Sequence, residues 1–246
     1  MCNINVIQMK TKKYQNILSL LNAITWNSFN HNNDGEGFIA LTNNNNVYMG
    51  RNNEKIIYKN KNFKTILTHQ RKSSSGFGFN NIHPIETKRF LMLHNGIIDN
   101  NSDFEKSDSK IYLETFEKKY QGDIIQTIKN MSNKYMGSYS IVLFDKITKN
   151  IYYYKNFMTS MYFIDTKDIL LMSTNYNNME YACSILHINP DLIQKVENNI
   201  IYQINNGLKK INKIEYKDNT GRIVKIFDKI TDICFAPLTI WFPPKK

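Results

Sequence analysis

Cysteine is scarce in this chain: Cys2, Cys183 and Cys234 are the only three in 246 residues. They are too few and too scattered for a disulfide framework or a zinc site, so no metal is expected. Long hydrophobic runs are also missing. The longest, Ile17-Leu18-Ser19-Leu20-Leu21 and Ser140-Ile141-Val142-Leu143-Phe144, fall far short of the roughly 20 residues that cross a bilayer as a helix. The first residues, Met-Cys-Asn-Ile-Asn-Val-Ile-Gln, have no basic segment followed by an apolar one, so no secretory signal is expected. A reducing, cytoplasmic setting without a membrane is the expectation that follows. No Pro/Gly/Ser-rich linker divides the chain, and no repeat with a period of tens of residues is visible. Arginine is the last scarcity, with 4 against 28 lysines.

Hydrophobic residues make up 41% and aromatics 13%, a composition that can bury a core and is not that of a disordered chain. The net charge of +11 raises the question of a nucleic-acid partner, because lysines neutralise phosphates and release counterions. The lysines are spread along the chain, not gathered into a block. Their excess accompanies excesses of asparagine and isoleucine, the profile of AT-rich coding. A nucleic acid is therefore not the expected partner, and the few arginines kept against that drift gain interest.

Tyr14, Ile17, Leu21 and Ile24 recur at steps of three and four, which predicts an early helix. Asn43-Asn44-Asn45-Asn46 lies between Gly37–Leu41 and Val47–Met49 and reads as a hairpin turn. Strands are expected at 65–68 and 90–93, two helices within 107–133, and strands at 138–144, 150–155, 161–164 and 169–173. A helix near 176–186 and a strand near 199–204 complete the reading. Blocks of strands alternating with paired helices predict an α+β layered domain.

Several residues carry candidate chemistry. Once an initiator methionine is trimmed, Cys2 holds a thiol and a free α-amine on one residue. The amine, with a reference pKa of about 7.7–8.0, can accept the thiol proton. Arg71, just past a strand end and followed by Ser73-Ser74-Ser75-Gly76, is either a carboxylate clamp or a surface arginine beside a loop. His69 and His83 read as structural, since no third metal-type residue is suitably spaced. Asn95-Gly96, directly after the apolar run 90–93, is either a β-turn or a pair of donors for a developing oxyanion. Asp108, within Ser107-Asp108-Ser109, is either a helix cap or first-turn acid, or a carboxylate for a ligand's ammonium.

Taken in this order, these segments resemble the glutaminase domain of class II glutamine amidotransferases, the N-terminal-nucleophile family, and above all the glutaminase half of glucosamine-6-phosphate synthase. The resemblance rests on Met1-Cys2, Asp34-Gly35-Glu36-Gly37, Thr68–Gly76, Asn81-Ile82-His83-Pro84 and His94–Asn100. It continues through Ser107–Ser109, Gly137–Asp145 and, more weakly, Met172–Asn175. It covers about residues 2–205. His-Asn-Gly-Ile-Ile-Asp-Asn is its most specific element.

The resemblance implies a four-layer αββα sandwich that uses no cofactor. It implies Cys2 as nucleophile with its α-amine as base, and Asn95 with the Gly96 N–H as oxyanion hole. Arg71 would hold the α-carboxylate of L-glutamine and Asp108 its α-ammonium. Ser74 and His83 would lie in or beside the loop covering the substrate. Residues 206–246 are left as a C-terminal extension packing on the same domain, without an assignment. No synthetase or other acceptor segment is recognised there, so the ammonia acceptor is expected on another chain. Three positions depart from the family pattern: His31-Asn32 in place of an arginine-glycine pair, Lys72 in place of an aromatic, and Lys110 in place of an acid. They fall on the pocket wall and the closing loop. Two other readings stand beside the glutaminase: an amidohydrolase of γ-glutamyl peptides, and a catalytically silent structural or binding protein on the same fold.

Overall fold

The computed structural model describes residues 2–14, 17–59, 63–74, 76, 78–99, 106–156, 158–204 and 211–215. The chain opens with β1 (Asn3–Met9), α1 (Ile17–His31), β2 (Glu36–Leu41), β3 (Val47–Asn52) and β4 (Thr65–Gln70). It continues through β5 (Ile85–Glu86), β6 (Phe90–Asp99), α2 (Asp108–Lys119), α3 (Ile124–Lys134), β7 (Met136–Asp145) and β8 (Ile151–Lys155). Last come β9 (Tyr162–Asp165), β10 (Ile169–Ser173), α4 (Tyr176–Leu186), β11 (Gln194–Lys195), β12 (Ile200–Ile204) and β13 (Ile211–Glu215). The strands form two antiparallel sheets. Sheet A runs β11-β9-β10-β1-β4-β2-β3 and sheet B runs β13-β12-β8-β7-β6-β5.

Alternation of side chains along each strand sorts the hydrophobic residues into three cores. Ile4, Val6, Ile39 and Leu67 of sheet A meet Leu91, Leu93, Val142, Phe144 and Tyr153 of sheet B in a core between the sheets. The other face of sheet A, with Ile7, Ala40, Ile66 and Leu171, packs under Leu20, Leu21 and Ile24 of α1 and Met179 and Ala182 of α4. The other face of sheet B, with Phe90, Met92, Ile141 and Tyr154, packs against Leu113 and Phe116 of α2 and Ile128 and Met131 of α3. This is the four-layer αββα sandwich, with each fully buried Ile, Leu or Phe contributing about 1.5–3 kcal/mol. Local signals mark the helix starts: the Ser107 side chain accepts from the Lys110 N–H, and Asp123 accepts from the Gln126 N–H.

Three differences from the expected elements are informative. β1 was not anticipated; its asparagines hide the alternation of Ile4 and Val6, because Asn is a poor strand former. Helix α1 runs on to His31, past the last apolar repeat, because its continuing buried positions are the polar Thr25 and Ser28. The strand at 90–93 does not stop before Asn95-Gly96: β6 continues to Asp99 and pairs with β7 along its whole length. Asn95-Gly96 is therefore not a turn. Of the expected C-terminal extension, β13 pairs with β12 at the edge of sheet B; residues 206–210 and 216–246, including Cys234, lie outside the described residues, as does Asn100. Among the described residues no helix is long and apolar enough to cross a membrane, and no group of His, Cys, Asp or Glu could hold a metal ion.

Candidate active site

Cys2 precedes β1 in the central part of sheet A. Its parity matches Ile4 and Val6, so its thiol faces sheet B and not the helices. The thiol lies 3.3 Å from the Lys72 carbonyl oxygen, and the Lys72 N–H donates to it at 3.2 Å. Burial pushes the thiol above its ordinary value of 9.0, outweighing the Lys72 N–H and the nearby cationic Arg71. At neutral pH the sulfur is therefore a thiol, a form that is not nucleophilic until a base takes its proton.

Arg71 follows β4, the strand paired with β1, so sheet geometry alone sets it beside Cys2. The Arg71 N–H donates to Gly35 O at 2.8 Å, and its carbonyl accepts from the Asp34 N–H at 3.1 Å. Its Nη2 donates to Gly76 O. Burial lowers the guanidinium's pKa, while Cys2, Asp34 and Asp108 oppose that shift. Asp34 also accepts from the Ser73 N–H at 2.8 Å, tethering the start of the serine-rich loop.

From sheet B come Asn95 and Gly96. Gly96 has φ +133°, and a Cβ there would lie 1.8 Å from Ser138 O on β7. Only glycine fits both demands. Asn95, on the face toward sheet A, is 5% exposed, and its Oδ1 has no hydrogen-bond partner among the described residues. Asp108 opens α2 and ties that helix to β6: it accepts from the Ile98 N–H at 2.8 Å and the Ser109 N–H at 2.7 Å. Ser107 is the cap, and Asp108 is a first-turn acid that also faces the cleft.

One cleft is lined by Cys2, Arg71, Ser74, His83, Gly96 and Asp108, with Lys72, His94, Ser107 and Ser109. Asn95 adjoins it through Gly96 and is not itself among the lining residues. Ser74 is exposed at the rim and His83 is buried. His83 is held close by Gly37, where a Cβ would lie 1.9 Å from His83 O. Its ring stacks on His69 at 4.1 Å between centroids, and both of its ring nitrogens lack a partner among the described residues. His94 Nδ1 pairs with Ser109 Oγ at 2.8 Å, and His69 Nε2 lies 2.9 Å from His94 O. Reading the sequence assigned no role to Asp34, His94 or Ser109, although each stands inside or beside a motif. What marks them is tertiary: each bonds across to another element.

No family model matches the chain. The 7-cyano-7-deazaguanine synthase 2 of Sulfurisphaera tokodaii is 26% identical over 176 residues, covering 68% of this chain and 36% of that protein. The glutamine–fructose-6-phosphate aminotransferase (isomerizing) of Helicobacter pylori is 25% identical over 178 residues, covering 64% of this chain and 28% of that protein. The chain thus spans about a third of the curated relatives it matches. Among solved structures, the glutamine phosphoribosylpyrophosphate amidotransferase of B. subtilis aligns with a TM-score of 0.65 at 12% identity, over 89% of this chain and 50% of that one. A structure described as the allosteric regulatory enzyme of purine biosynthesis aligns with the same score at 13% identity. These likenesses establish the fold.

Proposed function

We propose that this chain, a domain of the class II glutamine amidotransferase type on the N-terminal-nucleophile hydrolase fold, hydrolyses the side-chain amide of glutamine and releases ammonia to an acceptor. The observation that carries the reading is the meeting in one cleft of Cys2, Arg71, Gly96 and Asp108, drawn from four separate stretches of sequence.

Each residue has a task that its chemistry suits. With Met1 removed, the Cys2 α-amine takes the proton that the buried thiol holds at neutral pH, and Sγ attacks the carboxamide carbon. The carbonyl oxygen becomes an oxyanion, which accepts from the Gly96 N–H and the Asn95 amide. The C–N bond then breaks, and the α-ammonium returns its proton to the departing nitrogen, which leaves as ammonia. Water, deprotonated by the same amine, opens the γ-glutamyl thioester to give glutamate and the free thiol. Arg71, with its planar fork, grips the substrate α-carboxylate. Asp108 faces the α-ammonium, and Ser74 and His83 border the covering loop. The ammonia acceptor is an L-glutamine-dependent synthetase or transferase unit, on a partner chain or on a further domain. The matched relatives extend well beyond the shared segment, which is consistent with such a unit.

The test is direct. Protein shown by intact mass to start at Cys2 should release glutamate and ammonia from glutamine, and Cys2→Ala should abolish this. A glutamine-like diazo-ketone should label Cys2 and leave Cys183, buried on α4, untouched. Undiminished turnover by Cys2→Ala would end the reading.

A further inference from the structure

A second row of polar side chains lies directly behind the cleft, on the helix-facing side of sheet A. Asn3, Gln70 and Glu36 are Cα partners across the adjacent strands β1, β4 and β2. All three are essentially inaccessible, at 2%, 0% and 0% exposure. The residues next to them along the chain are Cys2, Arg71 and Gly35. By strand alternation, Cys2 and Arg71 therefore face the cleft while this row faces α1.

The hydrogen bonds in the row have a direction. The Glu36 carboxylate can only accept. It takes the Lys55 ammonium at 3.0 Å, the Ile56 N–H at 2.7 Å, the Tyr58 hydroxyl at 3.1 Å and Gln70 Nε2 at 2.9 Å. With its NH2 turned to Glu36, Gln70 presents Oε1 to Asn3 Nδ2 at 3.4 Å and Asn5 Nδ2 at 3.3 Å. Asn3 Nδ2 also donates to Ser28 Oγ at 2.5 Å, which leaves Asn3 Oδ1 to accept from Thr174 Oγ1 at 2.9 Å. The buried acid thus fixes which way the Gln70 amide points. Asn3 is set in the same sense by Ser28, whose hydroxyl donates to Ile24 O at 2.7 Å and can therefore only accept from Asn3 Nδ2.

We infer that Glu36, acting through Gln70 and Asn3, is a positioning residue that fixes Cys2 relative to Arg71 across the cleft. This rests on the glutaminase reading, since it concerns the same nucleophile and the same carboxylate clamp. Neither Glu36 nor Gln70 lines the cleft, so their effect passes through the strand ends. Glu36→Gln keeps the shape and removes the fixed polarity. Gln70→Met breaks the relay and leaves the Glu36–Lys55 pair in place, so it serves where Glu36→Gln does not fold.

The experiment compares both variants with wild type at a temperature where each is fully folded, with rates normalised to the fraction labelled by the diazo-ketone. Two quantities are read: kcat and KM for glutamine, and the rate of Cys2 alkylation by iodoacetamide. Positioning predicts that kcat/KM falls tenfold or more, that KM rises as Arg71 moves, and that the alkylation rate departs from wild type by threefold or more. Glu36→Asp, which keeps the acceptor-only charge, should recover part of the loss. Variants that lose stability but keep wild-type KM, kcat per labelled site and alkylation rate would overturn the inference. The alkylation arm needs no turnover: a wild type that alkylates at Cys2 yet never hydrolyses glutamine overturns the functional reading instead.

Discussion

Two groups of buried polar residues at the site end, one behind sheet A toward α1 and one around the cleft, are treated in opposite ways. Toward α1, Glu36 is surrounded by four donors, and Gln70, Asn3, Asn5 and Ser28 bond to one another. Toward the cleft, both ring nitrogens of His83, Nε2 of His94 and Oδ1 of Asn95 lack a partner among the described residues. Buried polar groups are nearly always paired, so the exceptions call for an explanation. A saturated network is a frame, whereas buried polar atoms without partners in and beside the cleft leave room for a polar ligand. The contrast separates groups that hold the fold together from groups left open at the cleft, and it can be broken residue by residue.

The largest effect should come from Gly96→Ala. The new Cβ would press on Ser138 O, and φ +133° is foreign to alanine. Backbone strain of about 1–3 kcal/mol and overpacking of about 1–3 kcal/mol together predict a severe loss of stability in chemical denaturation, with glutaminase activity gone. A variant that unfolds at the wild-type midpoint would show that β6 and β7 are not closely apposed at Gly96.

A smaller and more discriminating pair is Asn95→Ala against Asn5→Ala. Asn95 stands on the unpaired side. Its loss should cost little stability and lower kcat by about 10²–10³. Asn5 stands on the saturated side, taking Ser173 Oγ at 2.8 Å and giving to Thr68 Oγ1 at 3.2 Å. Its loss strands those partners and should cost about 1–3 kcal/mol of stability. Denaturant midpoints and kcat measured on both proteins check the crossover. If both variants lose stability alike, the two groups do not differ in kind.

The sequence displayed the second group far better than the first. Motif order around Cys2, Arg71, Asn95-Gly96 and Asp108 pointed to one cleft, and Cys2, Arg71, Gly96 and Asp108 do line one. The saturated row left no such trace. Glu36 occurs inside Asp34-Gly35-Glu36-Gly37, yet nothing local tells a buried carboxylate from a surface one, since its partners Lys55, Tyr58 and Gln70 are brought to it only by the fold. The same row hid two elements. Asn3 and Asn5 weakened the strand signal of β1, and Thr25 and Ser28 cut short the apparent apolar face of α1. Periodicity reports apolar burial, so an element that buries polar groups is under-read. At Asn95-Gly96 the failure was of another kind: a polar pair after an apolar run looks like a strand end, but here the strand continues because β7 supplies a partner as far as Met136.

The smallest expected effect is one of pH, and it tests the unpaired side alone. His69, His83 and His94 are all buried. The carbonyl partner of His69 Nε2 requires that this nitrogen carry the proton, so the ring is neutral with Nδ1 bare. Burial, reinforced by His94 and Arg71, pulls the His69 pKa from 6.5 to about 3, against a smaller upward pull from the His94 carbonyl. Burial likewise holds His83 well below 6.5, with His69, His94, Arg71 and Arg51 adding to the effect, and lowers His94 despite the nearby Asp108. Between about 3 and 6.5 the unfolded chain therefore binds a proton at His69 that the folded chain refuses, and below 6.5 it binds protons at His83 and His94 more readily than the folded chain does. Stability is fully present above pH 6.5 and declines as pH falls through that window, by up to about 1.4 kcal/mol per pH unit for each ring. His69→Gln removes one titrating ring, so the slope of unfolding free energy against pH between 6 and 5 should flatten by about that amount, with no change in slope above pH 7. Glu36→Gln, on the saturated face, should leave the histidine-dependent slope between pH 6 and 5 as it is. An unchanged slope in His69→Gln would mean that the ring can take a proton without opening the fold, and that the cleft side is wetter than its burial implies.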